Sequence, residues 1–298
     1  MLSIVDAHHH LHDLRTHYYP WLSGDVESAD IFGDHPERLR TDYLIDDFLA
    51  DSRASNVVKS VHIQNGWDPR DPVGETRWLQ AIADRYAFPH AIVAYAALEA
   101  DDVAMTLDEH SRSANVRGIR QILNWDPDPK KRFIQYPALM TSSAWRRGFA
   151  QLARHGFSFD LQIYFPQMKD AYDLALAFSK TPIILNHAGM PLDRSPEAMA
   201  GWERAMRCLA KAENISVKIS GLALGQRGWS VETIRPLVLK TIDIFGIHRS
   251  MFASNFPVDG LFSAYAALFD AFKAVTSDFS AAERDALFRT NAERIYRI

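Results

Sequence analysis

Close to the amino terminus three histidines follow an aspartate, Asp6-Ala7-His8-His9-His10, at the end of a short apolar run. Side chains alternate across an extended strand, so Asp6, His8 and His10 are expected on one face and His9 on the other. Two imidazoles two residues apart can converge on one metal ion, or on one water and one substrate. A solvated histidine patch or a residual tag is the plainer reading, yet a tag precedes a fold and this cluster follows an apolar strand. His187, which ends another apolar run beside Gly189 and Pro191, is the third imidazole of interest.

Polar residues that close other apolar runs are candidates for substrate contact: Gln64, Arg120 with Gln121, Gln162, and Lys218 with Ser220. Buried charge is costly unless paired, so such residues either satisfy one another or meet an anionic or hydroxyl-rich ligand. Arg120 is the better candidate, since a guanidinium grips a carboxylate with two bonds. Structural pairing is the simpler account of Lys218. Glu75 follows Asp71-Pro72 at the start of a helical pattern, where the helix dipole favours an acid, and it is a secondary candidate for binding or proton transfer. Trp21, with Tyr18, Tyr19, Trp67 and Trp125, could wall a pocket or serve as packing anchors. Cys208 lies in a helical pattern, where a packed thiol is the commoner state.

These residues need elements to hold them. Eight short apolar runs cover residues 2–7, 57–64, 91–97, 116–121, 157–163, 183–187, 215–219 and 251–254. Longer amphipathic stretches separate them, among them 71–86, where Trp78, Leu79, Ile82 and Tyr86 share a helical face, 168–179 and 231–245. Ser280 and Glu283 have capping-box spacing ahead of a last helix. Eight βα units in 298 residues predict a single-domain (β/α)8 TIM barrel over residues 1–298, because open sheets usually have fewer strands. No G-x-G-x-x-G follows the first run, so a dinucleotide-binding sheet lacks its main support. In a barrel the chemistry sits where strands end, which is where the histidines stand.

The aspartate–x–histidine–x–histidine opening resembles that of the amidohydrolase superfamily, in particular the amidohydrolase-2 group that contains sugar-lactone and dicarboxylate-lactone hydrolases. Further stretches are similar to that group: Tyr19-Pro20-Trp21-Leu22, Gly74-Glu75-Thr76-Arg77-Trp78-Leu79, Gly118-Ile119-Arg120-Gln121, Leu185-Asn186-His187-Ala188-Gly189, Val217-Lys218-Ile219-Ser220-Gly221 and Met251-Phe252-Ala253-Ser254-Asn255-Phe256-Pro257. The resemblance implies that His187 joins His8 and His10 around a reacting carbonyl. It also implies a general acid or base on the eighth strand, where the group usually has aspartate and this chain has Asn255. A neutral amide cannot take a proton from water. Asp259 could supply the carboxylate, or it is only a loop acid; alternatively a histidine is the base and Asn255 bonds the water or the oxyanion. The same departure leaves two metal states open: one divalent ion, zinc or manganese, on His8, His10 and His187, or none.

Composition sets limits. With 47% hydrophobic and 23% charged residues the chain can bury a large core, which argues against disorder. A net charge of -4 without a basic stripe speaks against nucleic acid as a partner. No stretch approaches the ~20 apolar residues that span a bilayer. A single cysteine fits a reducing cytoplasm. The expected partner is a small-molecule substrate, and a homo-oligomer is compatible with the sequence. The leading expectation is hydrolysis of a small polar lactone, a sugar lactone or a carboxylated one. The alternatives are a metal-dependent decarboxylase or C–C lyase of a small unsaturated acid, for which Asn255 is unfavourable, and a barrel that only binds a metabolite.

Overall fold

A computed structural model describes residues 2–23, 30–226 and 228–298. Its eight strands are β1 (Ile4–His9), β2 (Val57–Ile63), β3 (Ala91–Ala94), β4 (Val116–Ile122), β5 (Ser158–Gln162), β6 (Ile183–Leu185), β7 (Ile215–Ile219) and β8 (Ser250–Phe252). They pair in sequence order, all parallel. Beyond β8 the chain returns to β1. Asn255 N–H donates to His8 O (2.7 Å) and His10 N–H to Phe256 O (2.7 Å), with a parallel bridge between His9 and Phe256. The ring is therefore a nearly closed (β/α)8 barrel, as the alternation of runs predicts.

Helices α1 (Ile45–Ser52), α2 (Gly74–Tyr86), α3 (Val103–His110), α4 (Ser143–Gln151), α5 (Met168–Ala177), α6 (Pro196–Leu209), α7 (Val231–Phe245) and α8 (Tyr265–Val275) surround it. Their starts follow local chemistry: Ser195, with Pro196 next to it, accepts from Ala198 N–H, and Ser230 caps α7 through Thr233. The Ser280–Glu283 capping box forms as expected and opens α9 (Ala281–Asp285), which continues through a π turn into α10 (Asn291–Tyr296). Helix α2 begins at Gly74 rather than at residue 71. There Asp71 and Trp67 come so close that a Cβ on Gly74 would lie 2.4 Å from Asp71 Oδ2 and 2.6 Å from Trp67 Nε1. Strand β3 ends at Ala94 and α5 at Ala177, both earlier than the apolar pattern extends.

The strands have two kinds of face. Ile92, Ile119, Phe159, Leu161, Ile183, Leu185, Val217, Ile219 and Phe252 point outward and pack against the helices. Val5, Ala7, Val61, Ile63, Ala91, Val93, Ile184, Met251 and Ala253 fill the interior, closed at one end by Ala292, Ile295 and Tyr296 of α10. Each fully buried valine, isoleucine or methionine among them is worth roughly 1.5–3 kcal/mol relative to exposure. Above this plug the interior becomes polar, with Arg120, Asp160, Gln162 and Lys218 alternating with the outward residues. At the open end, loops carry Ile31, Tyr164, Met190, Leu224 and Val258 into one apolar cluster, which Trp21 and Phe32 join. Among the described residues no helix is long and apolar enough to cross a membrane.

One expectation about β1 needs correction. The pairing of β1 with β2 shifts register between Asp6 and His9. An extra residue in a strand moves the residues after it to the other face. Asp6 thus points outward, accepting from Ser254 N–H (2.9 Å), Ser254 Oγ (2.6 Å), His8 N–H (3.2 Å) and Tyr265 of α8 (2.8 Å). His9 is on the same outer side, stacked on Phe48 of α1 at 4.0 Å. His8 and His10 face the interior without Asp6.

Candidate active site

His8, His10 and His187 meet at the polar end of the barrel. The rings of His8 and His10 are 4.9 Å apart edge to face, and His187 lies 4.7 Å from His8. All three are buried. Burial, reinforced by Arg120 and for His8 and His187 also by Lys218, holds each imidazole well below its usual pKa. The three rings are therefore neutral at pH 7, as bases must be.

Hydrogen-bond partners assign the ring protons. His10 Nδ1 is 2.7 Å from Ile63 O, which only an N–H can satisfy, so His10 Nε2 is a bare lone pair. His8 Nδ1 faces the Lys218 ammonium at 3.5 Å and must accept. Its proton then sits on Nε2, 3.2 Å from His10 Nε2. A continuous donor chain results, from Lys218 through His8 and His10 to the Ile63 carbonyl. His187 Nδ1 contacts Ser220 Oγ at 2.9 Å, and its Nε2 has no hydrogen bond among the described residues.

Lys218 is fully buried and paired with Asp160 at 2.5 Å; burial pulls it down to about 8 against that partner. Asp160 also receives Asn186 Nδ2 (3.0 Å) and the Tyr296 hydroxyl (3.0 Å). Lys218 thus lies beneath the histidines, held by its ion pair, rather than facing the open end where substrate contact was expected. Arg120 has no carboxylate within ion-pair distance among the described residues. It donates to Gln162 Oε1 at 2.7 Å and to the Gln64 backbone carbonyl, and its Nε has no partner. Burial pulls its pKa down to about 10, opposed by Asp160 and Glu75. The Gln64 side chain is occupied locally, its Oε1 accepting from Gly66 N–H (2.8 Å).

Glu75 is buried and accepts from Asn65 N–H at 2.8 Å; burial pushes it up to about 8. Trp21 donates from Nε1 to Asn65 O (2.6 Å) and stacks on Phe32 in the loop cluster. Gln121 faces outward to Trp145 Nε1 and Leu98 N–H. Asn255 gives Nδ2–H to Asp259 Oδ1 (2.8 Å), which leaves the Asn255 side-chain carbonyl oxygen without a donor among the described residues. Asp259 itself bonds Gly221 N–H and Asn255 and lines a water-sized gap beside Leu222, Trp229 and Ser263. Burial pushes it up to about 7. It supports Asn255 rather than joining the histidines.

The metal question turns on these partners. The 3.2 Å between His8 and His10 Nε2 is close to the ~3.3 Å edge of a tetrahedral shell with ~2.0–2.1 Å bonds. A ligating imidazole, however, usually gives its other N–H to a carbonyl or carboxylate, and His8 Nδ1 faces an ammonium instead. Among the described residues no three His, Cys, Asp or Glu side chains are placed to hold an ion. The residues do not fit the three-histidine zinc or manganese shell considered from the sequence, and the chemistry assigned to them is their own.

Neutral histidines at the carboxyl ends of barrel strands, with a buried arginine beside them, stand where barrel enzymes carry their active sites. Residues 5–298 match the Amidohydrolase family model, and the chain belongs to that family. It is 50% identical to the uncharacterized protein y4mH of Sinorhizobium fredii, over 100% of this chain and 99% of that one. It is 28% identical to the L-fucono-1,5-lactonase of Burkholderia multivorans, over 98% and 95%. Among solved structures, an amidohydrolase from Burkholderia multivorans crystallised with bound zinc aligns over 99% of both chains, at 27% identity and a TM-score of 0.83. The 2,6-dihydroxybenzoate decarboxylase from Rhizobium, at 16% identity and a TM-score of 0.64, shares the fold.

Asp160 and Tyr296 escaped the sequence reading. Asp160 had a signal, since it stands two residues before Gln162 on one strand and so on the same face. Tyr296 had none, being 136 residues away from Asp160.

Proposed function

We propose that this amidohydrolase hydrolyses a small lactone by direct attack of water, with His187 as general base. The observation that carries the reading is the unpartnered Nε2 of a neutral His187, beside a His8–His10 pair whose own ring nitrogens are all engaged. Water bound between His187 Nε2 and the Asn255 carbonyl oxygen would lose its proton to His187 as its oxygen attacks the carbonyl carbon. The C=O π pair moves to oxygen, and the His8 Nε2–H, otherwise directed at His10, is the donor that meets the oxyanion. When the tetrahedral centre collapses, the ring C–O bond breaks and protonated His187 returns its proton to the leaving alkoxide. The product is the hydroxy acid, with no net change in the enzyme.

Arg120 and Gln162 are the substrate-orienting pair in this reading, since a buried guanidinium without a carboxylate partner leaves donors for a carboxylate or hydroxyls. Trp21 would cover one face of the ring. The lactonase name of the Burkholderia relative supports a sugar lactone as first substrate to try. The test is proton release on a panel of sugar lactones, L-fucono-1,5-lactone included, and carboxylated lactones, alongside carbon dioxide release from unsaturated acids. Lactone turnover that His187→Ala abolishes is the expected result. A wild-type enzyme that opens none of the lactones, or a His187→Ala variant with full turnover, would overturn it.

A further inference from the structure

The backbone that carries His187 is unusual. His187, Ala188, Gly189 and Met190 have φ of 53°, 50°, 72° and 48°, four consecutive residues in the left-handed region. Gly189 N–H bonds Asn186 O (3.0 Å) and Met190 N–H bonds His187 O (2.9 Å), so the segment is one turn of left-handed helix. Three of the four carry a Cβ, which L-residues pay for in this conformation. Such a turn persists only when its surroundings over-determine it.

The surroundings can be named. Below the turn, Asn186 is tied to Asp160. Beside it, Gly221 admits the ring so closely that a Cβ would lie 2.8 Å from His187 Nδ1. Among the described residues the turn's own middle has one side-chain hydrogen bond: Ala188 O accepts from Trp202 Nε1 at 2.8 Å. Trp202 belongs to α6 and is 1% exposed. We propose that Trp202 is a positioning residue for His187, its indole N–H pinning the Ala188 carbonyl and with it the left-handed turn that aims the imidazole into the site. Only the kinetic arm of its test depends on the catalytic role proposed for His187.

Trp145 provides a matched control. It too is fully buried, and its Nε1 donates to a barrel residue, Gln121, at 2.7 Å, but on the outer side of β4. Trp202→Phe and Trp145→Phe each remove one buried N–H and keep the aromatic packing. In Trp202→Phe, kcat is expected to fall about tenfold or more with KM within about twofold, and the His187 ring resonances in histidine-labelled NMR spectra to move. In Trp145→Phe, kcat and those resonances are expected to stay put at a comparable loss of Tm. If the Trp202 variant does not fold, the Trp202→Phe/Ala188→Gly double variant carries the test: glycine adopts the left-handed turn without the pin, so folding and kcat are expected to recover in part. Unmoved His187 resonances in Trp202→Phe, kcat losses that merely track Tm in both tryptophan variants, or a Trp202→Phe/Ala188→Gly double variant no better folded and no more active than Trp202→Phe would each overturn the proposal. Wild type inactive on every lactone, with resonances that still move, would sink the hydrolase reading and leave the positioning role standing.

Discussion

Asn255 hands its amide hydrogen to Asp259 across 2.8 Å and so turns its carbonyl oxygen away from that acid. Its backbone, at φ 58°, is a conformation asparagine tolerates better than most residues. Asn255→Ala is expected to lower kcat by about 10²-fold, the scale seen when one oriented polar group is removed from an acyl-transfer site. Asn255→Asp should retain more activity, because two carboxyls at this distance share a proton and the protonated partner replaces the amide. That advantage should fade as pH rises and the shared proton leaves. Equal activity of the two variants across a pH–rate profile would contradict the orientation assigned to Asn255.

Removing the base or its partners should act on kcat. For His187→Ala a loss of about 10²–10⁴ is expected, the usual contribution of general base catalysis. His8→Ala and His10→Ala should each be severe, and the double variant scarcely worse than either, because the two rings share one hydrogen bond. Additive losses in single-turnover measurements would show that they act separately.

Arg120 should govern affinity. Arg120→Gln keeps a donor but loses the charge, so KM for carboxylated lactones is expected to rise at least about tenfold, and for neutral sugar lactones far less. A uniform change across both classes in steady-state kinetics would remove Arg120 from anion recognition.

Chelation separates the two metal states left open by the sequence. With Lys218 facing His8 and no third ligand in place among the described residues, dialysis against a chelator is expected to change kcat by no more than about twofold. Activity lost on dialysis and restored by zinc or manganese would show that the histidines rearrange into a metal shell.

Stability should depend steeply on acid. His8, His9, His10, His62 and His187 are buried neutral, with pKa values below the ordinary one, about 3 for His9. Each binds fewer protons folded than unfolded, so its contribution is complete above pH ~6.5 and is lost below it, at about 1.4 kcal/mol per pH unit. Glu75 and Asp259 have the opposite sign: pushed up to about 8 and about 7, they favour the fold most at low pH and lose that contribution as pH rises through those values. Five histidines outweigh these acids, so urea denaturation across pH should place maximum stability near pH ~6.5 and show a sharp fall between pH ~6 and ~5. A flat profile there would mean that the histidines are not buried neutral in solution.

The barrel was legible because eight apolar runs and the helices between them repeat one physical unit, and the three histidines because they stand where those runs end. Lys218 and Arg120 both close apolar runs, and structural pairing was expected for Lys218 without a partner to name. What distinguishes them is Asp160, which neutralises one and not the other, and no spacing rule pairs residues 58 apart. Asp6 was misplaced because strand alternation holds only while the register holds, and the shift between Asp6 and His9 is a property of the paired strands. The left-handed turn at His187 leaves only Gly189 as a trace, since Ala188 and Met190 carry no preference for it.

Three hydrogen bonds on Asp6 join the first strand to Ser254 and Tyr265, residues near the other end of the chain. His8 lies two residues beyond this knot, so its ring cannot take up its place until the last strand has arrived. Contacts of such long separation form slowly. In refolding experiments helix signals and tryptophan fluorescence should recover first, and turnover should lag behind them as a clock for the moment the circle is completed.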